Sequence, residues 1–180
     1  MRLLSKGEAL RELERHKREL LRDANECVMC ALAAQRDARL VLEAGRDGCV
    51  VLDRFGNRAG HLLVVGARHV ERATELAWGE YAALQRLAYD ACHALEQVLT
   101  PKRIYTAALG STSEQPMTFS HFHLHVVPVM EDDERARPAQ VFSWSEGVVS
   151  YDDAEADRLV TELKRAWPER FVLAKRSRSW

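Results

Sequence analysis

Ser120-His121-Phe122-His123-Leu124-His125-Val126-Val127-Pro128 is the stretch from which the rest of the chain is read. Three of the seven histidines fall here at alternate positions, separated by Phe122 and Leu124 and followed by Val126. A period of two is that of a β-strand, so the three imidazoles should leave one face and the apolar side chains the other, toward a core. At a rise of roughly 3.3 Å per residue, neighbouring histidines on that face stand about 7 Å apart. Pro128 lacks a backbone donor and is expected to end regular pairing. One histidine on a strand is usually structural. Three on one face, opposite a strictly apolar face, ask for a chemical reason.

Neutral imidazole is a good nucleophile toward phosphorus, and a pKa near 6.5 leaves it mostly neutral at pH 7. Attack by one histidine on a phosphoryl group forms a phosphoramidate, and a neighbouring protonated histidine or a hydroxyl can stabilise the anionic oxygens. The rival chemistry is a catalytic zinc held by three histidines. Ligands at i, i+2 and i+4 of one strand span about 13 Å, too far for all three to reach one ion. Two adjacent histidines could bind a metal, or one together with ligands from elsewhere.

The rest of the chain sets the bounds. A length of 180 residues suits one domain with a sizeable core. The 26 Lys and Arg nearly balance the 27 Asp and Glu, which argues against a nucleic-acid binder and against a membrane-surface protein. The first residues run straight into charged ones without the apolar core of a signal peptide, and no stretch is apolar enough to span a membrane. Four cysteines do not make a disulfide scaffold. The expectation is a soluble cytoplasmic protein with reduced thiols.

Working outward, residues 6–24 read as a charged helix with a thin seam of Leu10, Leu13, Leu20 and Leu21. Cys27-Val28-Met29-Cys30 follows, a spacing that lets two thiolates meet one metal from a tight turn. A redox dithiol and two ordinary buried cysteines are the alternatives. Strands are expected over 39–44 and 49–52, joined by Gly45-Arg46-Asp47-Gly48 as a hairpin connection. Asp53 ends the second, where it could cap a turn or hold a ligand hydroxyl; the residues alone favour capping. A turn-rich loop over 54–60 precedes a buried strand over 61–65. Residues 74–99 carry the longest helical signal, with Leu84, Leu87, Ala88, Ala91, Leu95 and Val98 on one stripe and Pro101 beyond it. A fourth strand over 103–109 and a polar loop over 110–118 lead into the histidine strand. A charged connection over 131–138 and a final helix over 152–167, opened by Asp152 and Glu155 as a capping box, complete the chain. Cys49 and Cys92 read as core residues; His16 and His93 read as structural.

His121-Phe122-His123-Leu124-His125-Val126-Val127 resembles the signature of the histidine triad superfamily of nucleotide hydrolases and transferases, in which three histidines alternate with apolar residues. Asp53, then Gly60-His61-Leu62-Leu63-Val64-Val65 and Arg68-His69-Val70, is similar to the family's upstream segment, and Cys27-x-x-Cys30 resembles its zinc-containing branch. The resemblance covers roughly residues 27–128. It implies an α+β fold, an antiparallel sheet of about five strands with a long packed helix, to which the chain's own patterning adds N- and C-terminal helices. It implies a single domain with a core over 25–130, a helical extension over 1–24 and a C-terminal extension over 131–180.

By the same resemblance, His123 would be the nucleophile, His125 would contact the reacting phosphate and His61 would support the triad. Asp53 would hold ribose hydroxyls, Thr118 would stand near the phosphate, and Gln115 could replace polar contacts of the family's loop before the triad. Cys27, Cys30, His69 and His121 would form a closed set around a structural zinc. A homodimer is implied. The activity implied is a nucleotidyl hydrolase acting on a nucleoside 5′-phosphate derivative, of diadenosine polyphosphate or phosphoramidate type, through a nucleotidyl-histidine intermediate. Two alternatives stand beside it: a transferase or phosphorylase whose acceptor is phosphate or a sugar phosphate, and a non-catalytic nucleotide-binding module.

Overall fold

The computed structural model describes residues 1–23, 25–110 and 119–169. In chain order its elements are β1 (Arg2–Leu4), α1 (Lys6–Leu20), α2 (Val28–Ala33), β2 (Val41–Ala44), β3 (Gly48–Leu52), β4 (Phe55–Gly56) and β5 (Leu62–Gly66). There follow α3 (Trp78–Leu99), β6 (Arg103–Ala107), β7 (His123–Val129), α4 (Pro138–Val141), β8 (Val148–Ser150) and α5 (Asp153–Arg165). Five strands pair antiparallel in the order β2-β3-β5-β7-β6, the expected α+β architecture.

The histidine strand, β7, is internal to this sheet. His125 pairs with Leu63 of β5 on one side and Ala107 of β6 on the other, and His123 pairs with Val65. A strand bonded on both edges gives its side chains a fixed base. The alternation along the sheet then sorts the core. Leu42, Val50, Leu52, Leu62, Val64, Phe122, Leu124 and Val126 pack with Leu84, Leu87, Ala91 and Leu95 of α3 and with Val160 and Leu163 of α5. The opposite set, Val41, Cys49, Val51, Leu63 and Val65, packs with Leu20 of α1 and with Val28, Met29 and Leu32 of α2. His123 and His125 alternate with Leu124 and so share this second face. Farther along β7, Val127 and Val129 are covered by Val141 at the end of α4 and by Phe142. The two histidines therefore lie between a cover built from α1 and α2 and another built from the C-terminal segment.

Close packing explains one glycine here. A Cβ at Gly48 would overlap the Val65 carbonyl on the paired strand, so only glycine lets β3 and β5 lie together at that point. The final helix starts with a reciprocal cap: Asp152 accepts from the Glu155 N–H at 2.8 Å, and Glu155 accepts from the Asp152 N–H at 3.0 Å.

Several expectations need correction. Pro128 does not end pairing; it faces Ile104 of β6, and β7 continues to Val129. Pairing with β5 stops at Val126, so beyond that residue β7 is bonded on the β6 side alone and can seat a residue without a donor. His121 lies before β7, not on it, which frees its ring to turn away from the other two. The first helix stops at Leu20, and Leu10 is 46% exposed; Ala9 takes the buried place expected of it. The loop over 54–60 contains β4, which joins β1 and β8 in a three-stranded sheet ordered β1-β8-β4. No helix among the described residues is long and apolar enough to cross a membrane.

Candidate active site and metal centre

The second sheet face carries a row of imidazoles joined edge to edge. His123 Nδ1 donates to the His121 carbonyl at 2.7 Å. A neutral imidazole has one donor and one acceptor nitrogen, so His123 Nε2 keeps its lone pair. That nitrogen lies 3.1 Å from His125 Nε2, which must supply the hydrogen. His125 Nδ1 in turn accepts from His61 Nε2 at 2.9 Å, and His61 Nδ1 accepts from the Asn57 backbone N–H at 3.1 Å. The rings of His123 and His125 have their centroids 4.8 Å apart, closer than the 7 Å strand repeat because the side chains lean together.

Burial makes the neutral state the stable one. His61 is 1% exposed and its pKa is pushed down to about 3, first by desolvation and then by the charge that His123 would carry. His125 is pushed down to about 2 by burial and by its two histidine neighbours. His123 is lowered as well, by burial, against an opposing pull from its bond to the His121 carbonyl and from Asp53. At neutral pH the row therefore carries no charge, and His123 Nε2 keeps an unprotonated lone pair, the form of imidazole that can act as a nucleophile.

Asp53 stands at the end of this row. One carboxylate oxygen caps the turn by accepting the Phe55 N–H at 3.0 Å, and the other lies 3.3 Å from His61 Nδ1. That nitrogen's lone pair already faces the Asn57 N–H, so a proton between the pair belongs on the carboxyl. Burial pushes Asp53 up to about 6 in the same sense. The turn-capping reading of Asp53 is borne out, and the same carboxyl borders the histidine row. Thr118 and Gln115 lie outside the described residues.

The third triad histidine serves a different cluster. Cys27 is the N-cap of α2 and Cys30 lies in its first turn, so an i, i+3 spacing puts both sulfurs on one side. The expected tight turn is the start of a helix. A bidentate pair between Arg36 and Glu26, with both contacts at 2.5 Å, braces the residue before Cys27; no sequence pattern marked it. Cys30 Sγ lies 3.2 Å from His69 Nδ1 and 3.4 Å from His121 Nδ1, and Cys27 Sγ lies 3.8 Å from His121 Nδ1. All four ligand atoms fall within 4.8 Å of one another. Tetrahedral zinc with Zn–S near 2.3 Å and Zn–N near 2.0 Å sets neighbouring ligands roughly 3.3–3.8 Å apart, so the cluster fits such an ion with little movement. His121 Nε2 donates to the Gly66 carbonyl at 3.0 Å, leaving Nδ1 unprotonated toward the sulfurs. Without a cation, burial and the neighbouring Cys27 push the Cys30 thiol up to about 11.

Three contributors went unnoticed in the sequence. Asn57 orients His61. Phe142 sets its ring 6.3 Å from that of His125, edge to face. Trp144 donates its indole N–H to Asn57 Oδ1 at 2.9 Å. Asn57 fell in the turn-rich loop over 54–60, and Phe142 and Trp144 fell between the charged connection and the final helix, in a segment with no readable pattern.

Residues 26–137, more than half of the chain, match the family model described as "Scavenger mRNA decapping enzyme C-term binding". No curated protein matches the sequence. Several solved structures share the fold. A Hit-like protein involved in cell-cycle regulation from Bartonella henselae aligns with a TM-score of 0.62 at 13% identity, over 80% of this chain and 98% of its own. A zinc-bound histidine triad family protein from Mycobacterium smegmatis aligns with a TM-score of 0.56 at 20% identity, over 78% of this chain and 97% of its own. Plasmodium falciparum diadenosine triphosphate hydrolase aligns with a TM-score of 0.55 at 14% identity, over 71% of this chain and 75% of its own. With the second and third histidines of its triad motif on an internal strand of the shared sheet, the chain belongs to the histidine triad superfamily, in its scavenger mRNA decapping enzyme C-terminal family.

Proposed function

We propose that this protein is a nucleotidyl hydrolase that cleaves a nucleoside 5′-phosphate derivative, a dinucleoside polyphosphate or a phosphoramidate, through His123. The observation that carries the reading is the His123 ring: Nδ1 bound to a main-chain carbonyl, Nε2 unprotonated and facing an N–H of His125. In the first step His123 Nε2 attacks the α-phosphorus, an N–P bond forms, and the bond to the leaving group breaks with its electron pair. The His125 N–H then moves from His123 to a non-bridging oxygen, where it stabilises the developing charge. Water cleaves the N–P bond in the second step and restores the free imidazole. In this reading Asp53, beside His61, accepts ribose hydroxyls, and His61 supports His125 through their 2.9 Å contact.

The names of the matched family and of the diadenosine triphosphate hydrolase neighbour support a substrate in which two nucleosides share a polyphosphate bridge. Cys27, Cys30, His69 and His121 would hold a zinc ion whose contribution is to tie α2 and the segment before β7 together. With four protein ligands it would have no open position for chemistry. A panel of diadenosine polyphosphates, a capped dinucleotide, adenosine 5′-phosphoramidate and nucleotide sugars, each with and without added phosphate, tests the reading. Release of a nucleoside monophosphate without phosphate supports hydrolysis. Turnover that requires phosphate or a sugar phosphate assigns a transferase instead, and nucleotide binding without turnover assigns a binding module.

A further inference from the structure

We propose that Asn57 is a positioning residue, clamped by the C-terminal segment, that sets the tautomer of His61 and through it aims the His125 N–H at the reacting phosphate. The inference rests on the hydrolase reading above and extends it to residues outside the matched family region, which ends at 137.

The assignment follows from both ends of the histidine row. A backbone N–H can only donate, so the Asn57 N–H at 3.1 Å requires a lone pair on His61 Nδ1. His61 then carries its hydrogen on Nε2, His125 accepts at Nδ1, and His125 must present its own hydrogen from Nε2. A carbonyl can only accept, so the His121 carbonyl at 2.7 Å independently requires hydrogen on His123 Nδ1 and a lone pair on Nε2. The two arguments meet at the 3.1 Å contact between His123 and His125, and they agree. Reversing His61 would give Asp53 Oδ2, 3.3 Å from Nδ1, a hydrogen, but would leave the closer Asn57 N–H facing another N–H and would turn the His125 hydrogen away from the phosphate.

What holds Asn57 in place is unambiguous too. The Trp144 indole can only donate and reaches the side-chain oxygen at 2.9 Å; the Val141 carbonyl can only accept and takes the side-chain amide at 3.0 Å. Asn57 is 8% exposed and follows directly on β4, whose Phe55 and Gly56 pair with β8 of the same C-terminal segment. The stretch from Val141 to Ser150 thus fixes the turn before His61 by two side-chain bonds and a short strand. An asparagine suits this position because its amide turns a carbonyl acceptor to Trp144 and an NH2 donor to Val141 from separate atoms at once.

Trp144→Phe keeps the ring and removes the donor; Asn57→Ala removes both side-chain bonds. Histidine-labelled protein at neutral pH should give ring-nitrogen spectra in which His61 is the Nε2–H tautomer in the parent and a mixture in both variants. With adenosine 5′-phosphoramidate, kcat should fall about tenfold while KM stays within about twofold, because misplacement of an orienting group affects the transition state more than binding. A parent without turnover on any substrate of the panel would refute the hydrolase reading and not the tautomer assignment, which the spectra decide alone. Variants with unchanged tautomer and unchanged kcat overturn the proposal. If Asn57→Ala does not fold, Trp144→Phe decides by the same two measurements.

Discussion

The Nε2 atoms of His123 and His125 lie 3.1 Å apart, and only one of them can hold a hydrogen. Because His123 gives its hydrogen to the His121 carbonyl, the lone pair falls on His123 Nε2, on a residue held to Val65 of β5. The contact keeps His123 Nε2 unprotonated and, in the proposed reaction, provides a donor that a phosphate oxygen can take over. The geometry distinguishes the two histidines, which looked equivalent as a repeat.

His123→Asn removes the nucleophile while leaving an amide that can still reach the His121 carbonyl. The variant should fold, bind nucleotide with near-parental affinity and lose at least about 10³-fold in kcat. Single-turnover mixing of the parent with excess enzyme should trap nucleotide on protein; the variant should trap none. Turnover within about tenfold of the parent would remove His123 from the role.

The Cys and His cluster makes a separate claim about metal. Purified protein should carry about one zinc per chain, and Cys27→Ser with Cys30→Ser should carry none. A ligand present at about a hundred times its Kd stabilises the folded state by about 2.7 kcal/mol, or about 5–11 °C in Tm for a chain of this size. Thermal melts with and without chelator check this. A metal-free parent with an unchanged melt would exclude the site.

Acid should unfold the protein through its buried histidines. His61 and His125 have folded-state values near 3 and 2, below the unfolded value near 6.5. Their stabilising contribution is therefore complete above pH 6.5 and is lost as pH falls, because the unfolded chain takes up protons that the folded chain refuses. Asp53 works the other way. Its folded value near 6 lies above the unfolded 3.8, so its contribution is present below 3.8 and is lost as pH rises through 6. Between about pH 6 and 4 these two histidines outweigh the one carboxyl by a proton, and burial lowers His121 and His123 in the same sense, so the slope is at least about 1.4 kcal/mol per pH unit. Denaturant midpoints at pH 7, 6, 5 and 4.5 should follow this slope, and His125→Gln should flatten it. Stability rising on acidification through this window contradicts the account.

Much of this molecule is legible in the sequence, and the reason differs by element. The histidine strand shows a period of two because it is buried on one face by α3 and aligned on the other with the reactive row. The last helix shows its start because Asp152 and Glu155 cap each other locally. The β1-β8-β4 sheet shows nothing, since strands of two or three residues carry no period and join segments far apart in sequence. Asn57 belongs with it: its role depends on Val141 and Trp144, more than eighty residues away, and no local pattern encodes such a clamp. Pro128 misled for a related reason, because whether a strand tolerates proline depends on which neighbour has already ended.

Gly60 links the core to His61 and gives the last test. Its φ is +82°, and a Cβ there would press on Leu99 while lying 3.2 Å from the Pro128 ring and 3.3 Å from Leu95. Its N–H donates to the Tyr151 hydroxyl at 2.7 Å, another bond from the C-terminal segment to the turn before His61. Gly60→Ala should therefore cost about 2–4 kcal/mol, combining left-handed strain with overpacking, and should lower kcat by moving His61. Gly79 is the internal control. It sits in α3 with nothing within 4 Å of a built Cβ, so Gly79→Ala should be neutral or stabilise by up to about 1 kcal/mol. Chemical denaturation of the two variants should move in opposite directions. A Gly60→Ala protein as stable as the parent would show that the turn before His61 has room the structure does not contain.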